Sequence, residues 1–117
     1  MNNTIRNLEQ RERQIIDLLL SANFPGKHEL KQQLKDCTVK VLDDEGSLEF
    51  FVKSSPKSKV IRRIPIEAQV MDKDGIFIHI LLHVVNGFVK ELEFYKENGD
   101  PIVQPIDIHK IELVQLP

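Results

Sequence analysis

Residues 76–96 read IFIHILLHVVNGFVKELEFYK, and this stretch decides the fold. Ile76, Ile78, Ile80, Leu82 and Val84 recur with period two, which is the signature of a strand. The alternate positions Phe77, His79, Leu81, His83 and Val85 are also largely apolar. A strand apolar on both sides is expected at the centre of a sheet, covered on both faces. Asn86-Gly87 is the strongest two-residue hairpin signal, so Phe88–Lys96 should return antiparallel to the first strand. On simple alternation, Glu91 and Glu93 share a face with Val89 and Tyr95, opposite Phe88, Leu92 and Phe94. Helices can cover one side of such a sheet. The other side calls for sheet curvature, the C-terminal tail or a partner chain.

Upstream, Asp72-Lys73-Asp74-Gly75 marks a turn, and Val60, Ile64, Ile66, Ala68 and Val70 fall on one face of a long strand. Pro65 inside it cannot donate to a ladder, so this strand should be an edge, or bend or bulge there. Ser54-Ser55-Pro56-Lys57-Ser58 reads as a loop. Leu48, Phe50 and Val52 alternate with Glu49, Phe51 and Lys53, and Cys37, Val39 and Val41 with Thr38 and Lys40; Asp43-Asp44-Glu45-Gly46 lies between. Downstream, Glu97-Asn98-Gly99-Asp100-Pro101 is a turn. After Pro105, Ile106, Ile108 and, in shifted phase, Ile111, Leu113 and Leu116 predict a short final strand or extended tail.

Before Cys37 the period is helical. Leu8, Ile15, Ile16, Leu19, Leu20 and Ala22 form one stripe, with Glu9, Arg11, Arg13 and Asp17 mostly off it. Asn7 with Gln10 is the expected capping pair. Phe24-Pro25-Gly26 breaks this helix, and a second over 28–34 places Leu30 and Leu34 together. The sequence therefore predicts one α+β domain over residues 1–117. Two N-terminal helices should pack on a mainly antiparallel, five- to six-stranded sheet, arranged as a meander.

Composition narrows the function classes. The 117 residues are 41% hydrophobic and 29% charged, which argues a folded domain. A net charge of −2 argues against nucleic-acid binding driven by bulk positive charge. One cysteine, Cys37, excludes an internal disulfide framework. The polar N-terminus does not read as a secretory signal, and no apolar run approaches the ~20 residues of a membrane span. The expected compartment is the cytoplasm.

Catalytic constellations are not visible. His79 and His83 spell H-x-x-x-H, but in a strand these residues lie ~13 Å apart. Two ligands each ~2 Å from one zinc ion cannot span that distance, so no metal site is expected from the pair. Cys37 is in phase with Val39 and Val41 and reads as core. Gly46, Gly75, Gly87 and Gly99 stand singly at turns and cradle no phosphate. Lys57, Lys59, Arg62 and Arg63 have no interleaved aromatic and read as a solvated edge. No cofactor is implied.

The acidic residues are placed unevenly. Residues 1–42 hold 7 basic and 5 acidic side chains, residues 43–75 hold 6 and 7, and residues 76–117 hold 3 and 6. Glu91, Glu93, Glu97 and Asp100 belong to the acidic C-terminal third, and Asp43, Asp44 and Glu45 form a second cluster. Either group can serve as a negative docking surface for a basic protein, where charge speeds and orients association.

The run Asn86-Gly87-Phe88 through Asp100-Pro101-Ile102 contains a hairpin glycine, then Glu91-Leu92-Glu93-Phe94-Tyr95-Lys96, then an Asn98-Gly99-Asp100-Pro101-Ile102 turn. This order resembles a family of small bacterial domains that overlaps in style with immunity proteins of contact-dependent growth inhibition and polymorphic toxin systems. Leu8-Glu9, Glu12, Ile15-Ile16 and Leu19-Leu20, with Gly46-Ser47-Leu48-Glu49-Phe50, follow the same layout. The resemblance implies an immunity protein that binds a cognate toxin domain and occludes its active site. A nuclease toxin would present a basic groove to the acidic residues. The resemblance supplies no catalytic residue, so an enzyme is not expected. The alternative is a small ligand-binding or enzymatic domain using the face of His79 and His83, which requires a pocket there.

Overall fold

The hairpin that the sequence announces is the spine of the structure. The computed structural model describes residues 4–53 and 55–114. Leu116, expected in the last strand, and Ser54 of the expected loop lie outside the described residues. Helices α1 (Gln10–Leu19) and α2 (Lys27–Lys35) come first. Strands β1 (Cys37–Val41), β2 (Leu48–Val52), β3 (Glu67–Met71), β4 (Phe77–Val85) and β5 (Phe88–Lys96) follow. A 3-10 turn at Ile108–Lys110 leads into β6 (Glu112–Val114). The class is α+β, as the two periodicities predict.

The six strands form one antiparallel sheet in the order β1-β2-β5-β4-β3-β6. Two stretches are local hairpins, β1–β2 and β3–β4–β5. Between them the sheet departs from a plain meander, because β2 pairs with β5 rather than with β3. Three hairpin-linked strands with a fourth returning beside the first make a Greek-key arrangement. Strand β6 pairs with β3, so β3 is not an edge. Pro65 lies just ahead of β3, and residues 59–66 run as irregular chain rather than as strand. The N–H of Val84 still reaches the Arg63 carbonyl at 2.7 Å, so the bend satisfies the sheet without a regular ladder.

Core packing follows alternation. Val39, Leu48, Phe50, Ala68, Val70, Ile78, Ile80, Leu82, Leu92 and Phe94 turn one sheet face toward Ile15, Ile16 and Leu19 of α1 and Leu30 and Leu34 of α2. Each fully buried aliphatic side chain contributes about 1.5–3 kcal/mol. Cys37 belongs to this core, and burial pushes its thiol up, away from the reactive thiolate. The cap of α1 is Glu9 rather than Asn7. The Glu12 carboxylate accepts the Glu9 N–H at 2.8 Å and is gripped by both guanidinium ends of Arg6 at 2.9 and 2.8 Å. A salt-bridged capping carboxylate two positions on displaces the Asn7–Gln10 pair.

Asn86 and Gly87 have φ of 53° and 82°, the positive pair of a type I′ turn. A Cβ on Gly87 would stand 2.7 Å from the Ser58 carbonyl oxygen, so only glycine fits. Beyond the turn the register slips: Val84 faces Val89, whereas His83 faces Glu91. Lys90 is the extra residue of this β-bulge. The slip reverses two expected faces, because Val89 enters the core and Phe88 turns outward. Gln33 of α2, only 1% exposed, secures the site. Its amide donates to the Pro56 and Gly87 carbonyls and its oxygen accepts the Val89 N–H at 2.9 Å.

Candidate functional site

Register decides which side chains share the sheet face that the helices do not cover. Directly paired residues of an antiparallel sheet project to the same side. One row is Lys40, Glu49, Glu91 and His83. A second is Glu93, Leu81, Glu67 and Val114, and a third is Tyr95, His79, Gln69 and Glu112. Met71 sits opposite Phe77, and Val85 opposite Phe88. The expectation that β4 is covered on both sides holds for its even face only. On its odd face Leu81 is buried by its neighbours, while Phe77, His79, His83 and Val85 are half-buried. Met71 (52% exposed), Tyr95 (40%) and Phe88 (37%) leave apolar surface beside the carboxylates.

This open face is electronegative. Glu49, Glu67, Glu91, Glu93 and Glu112 occupy its strand positions against Lys40, with Lys90 in the bulge. Tyr95 senses the field: burial first, then the charges of Glu67, Glu93 and Glu97, push its phenol above the usual value. Its ring stacks on His79 with centroids 5.0 Å apart. His79 Nε2 lies 3.2 Å from Glu97, and His83 Nε2 lies 2.8 Å from Glu93. Arg63 Nε donates to His83 Nδ1 at 3.3 Å, and Lys90 pairs with Glu49 at 2.9 Å.

The acidic residues singled out from sequence separate into two places. Glu91, Glu93 and Glu97 belong to the open face. Asp43, Asp44 and Glu45 lie at the β1–β2 turn, where Asp44 and Glu45 line a cleft with Ile15, Phe94 and Ile102 on the helix side of the sheet. Asp43 accepts the N–H groups of Glu45 and Ser47 at 2.9 and 3.1 Å, and Glu45 accepts the Ile102 N–H at 3.1 Å. Asp100 is tied to Asn98 within its own turn. The two clusters do not form one surface.

A buried ionic group escaped the sequence reading. Lys96 and Asp72 side chains are 1% and 0% exposed and stand 3.0 Å apart, with Asp74 also on the Lys96 ammonium. Burial works to raise the Asp72 carboxyl. The N–H groups of Val103 and Lys73, together with Lys96, outweigh it and hold the group at about 2. The 72–74 turn reads as ordinary turn chemistry, and only the core phase of Lys96, four residues after Leu92, hints at burial. This triad holds the 97–104 segment against the sheet.

Three of the clefts that described residues form stand out. One of about 460 Å³ is the turn-side cleft above, and one of about 450 Å³ lies between α1 and α2. The third, about 440 Å³, is lined by Lys57, Arg62, Arg63 and the β4–β5 hairpin. None of the three includes His79 or His83. No helix of the described residues is long and apolar enough to cross a membrane. No curated protein and no solved structure matches the chain. The family described as "Domain of unknown function (DUF6984)" matches residues 5–106, and the chain belongs to it.

Proposed function

We propose that the chain is an immunity-type protein: it binds a basic toxin domain through the open sheet face and blocks that domain sterically, without turnover. One observation carries the reading, the uncovered face that bears Glu49, Glu67, Glu91 and Glu93 together with exposed Tyr95 and, at its far end, Met71. Protein interfaces combine aromatic and methionine anchors with a polar rim. The dense carboxylates select the sign of the partner, and two copies of this face would repel each other. A nuclease, whose substrate groove must be basic, is the fitting toxin class, and the resemblance of the 86–102 segment to immunity proteins points the same way. The action belongs in the cytoplasm, where such a toxin meets its substrate. Asp43, Asp44, Glu45 and Asp100 fall outside the proposed contact, because they line another side or serve their own turns.

The test is co-expression with the product of the adjacent upstream gene. Growth rescue and a stable stoichiometric complex are expected; absence of toxicity together with absence of a complex overturns the reading. Charge reversal by Glu91→Lys with Glu93→Lys should weaken the complex roughly tenfold or more. Unchanged affinity would move the interface off this face.

A further inference from the structure

We propose that His83, Glu91 and Glu93 form a binding site for one divalent transition-metal ion of the zinc type. This inference does not depend on the toxin-binding reading, and its test uses the chain alone. The three side chains each offer a ligand atom, and those atoms lie within 4.8 Å of one another on half-buried residues. Donors bound to one tetrahedral ion at ~2.0–2.1 Å are roughly 3.3 Å apart, so only a small inward shift is needed. The His83–Glu93 contact is already 2.8 Å.

The backbone explains the convergence. His79 lies too far along the strand to join His83, but ligands can come from across it. Glu91 is directly opposite His83, and Glu93 is two residues further on the same face. The bulge at Lys90 sets this register, and bulges commonly re-aim side chains. Without it, the strict alternation through the hairpin would place different residues opposite His83.

A second observation points to a cation. Glu91 makes no hydrogen bond or ion pair among the described residues, although it is half-buried. It also stands directly opposite Glu49 on β2, and like charges so placed are unfavourable. Lys90 serves Glu49 rather than Glu91. A bound divalent ion would relieve this repulsion. One imidazole nitrogen with two carboxylates suits a borderline ion and leaves a position open to water. Calcium and magnesium prefer oxygen-only sets.

Arg63 sets the resistance to binding. Its Nε donates to His83 Nδ1, so the neutral imidazole carries its proton on Nε2, toward Glu93. Metal coordination at Nε2 needs the other tautomer, with the proton on Nδ1. Arg63 must then release the ring. The ion and Arg63 therefore compete for His83.

The experiment is calorimetric titration of the full chain with Zn2+ alone. One equivalent is expected. His83→Ala and Glu91→Gln should each weaken binding roughly tenfold or more. His28→Gln, remote on α2, should leave it unchanged, and circular dichroism should show all variants folded. Arg63→Met should tighten binding several-fold by removing the competitor. The proposal is overturned if the wild-type chain takes up no more Zn2+ than His83→Ala, or if Arg63→Met weakens binding.

Discussion

The turn around Asp72 and the face around Glu91 are both rich in carboxylates, and they hold them in opposite ways. Asp72 is buried, accepts backbone N–H groups from Lys73, Val103 and Gln104, and faces the ammonium of Lys96. Glu91 is half-buried, has no hydrogen-bond or ion-pair partner among the described residues, and looks across the sheet at another glutamate. Asp43 resembles Asp72, since it too accepts N–H groups of its own turn. Turns expose backbone donors that a short acidic side chain satisfies locally. Strand faces have none to spare, because the ladder engages them. The turn carboxylates Asp72 and Asp43 therefore build structure, whereas Glu91 on the strand face remains available to a partner or an ion.

The sharpest way to break this comparison is to remove the cation from the turn. Lys96→Met leaves Asp72 buried and charged beside Asp74, with only N–H groups to hold it. The melting temperature should fall on the order of 10 °C, as read by thermal denaturation. A shift below a few degrees would show that the N–H groups alone sustain Asp72.

Acid probes the same group more gently. Asp72 is held at about 2, below the ordinary 3.8 of a free aspartate. Its contribution to stability is full above the ordinary value and is lost as pH falls from about 4 to about 2. Denaturant midpoints measured across that window should drop in wild type. The drop should be smaller in Asp72→Asn, which has no proton to take up. Equal slopes in the two proteins would place the acid sensitivity elsewhere.

Sequence reading succeeded where the signal was local. The β4–β5 hairpin follows from alternation and Asn86-Gly87, and the helices from their apolar stripes. It failed where the determinant was long-range. Nothing in residues 53–66 encodes that β2 must skip to β5, because pairing between distant strands leaves no periodic trace. The bulge at Lys90 is invisible for a similar reason: Val89 and Phe88 are both apolar, and the choice between them is made by Gln33 from a helix 56 residues away. The acids of the open face were found by composition, but Glu49, Glu67 and Glu112 join them only through register. That His83 stands opposite Glu91 is not legible either, because spacing along one strand says nothing of what lies across from it.

The smallest expected effect is also the most discriminating. At most positions, removing a half-buried charge from a folded protein is neutral or harmful. Glu91 differs, since its nearest cross-strand neighbour on β2 is Glu49 and no described cation pairs with it. Glu91→Gln keeps the shape and removes the repulsion, so the metal-free chain should gain a few tenths of a kcal/mol, roughly the scale of one cross-strand charge pair. Salt should erase the gain, because screening at ~1 M shortens the reach of surface charge to about 3 Å. Urea denaturation at low and high salt, with metal chelated, reads both outcomes. A loss of stability at low salt would mean that Glu91 is held by the fold after all, and the contrast with the turn carboxylates would collapse.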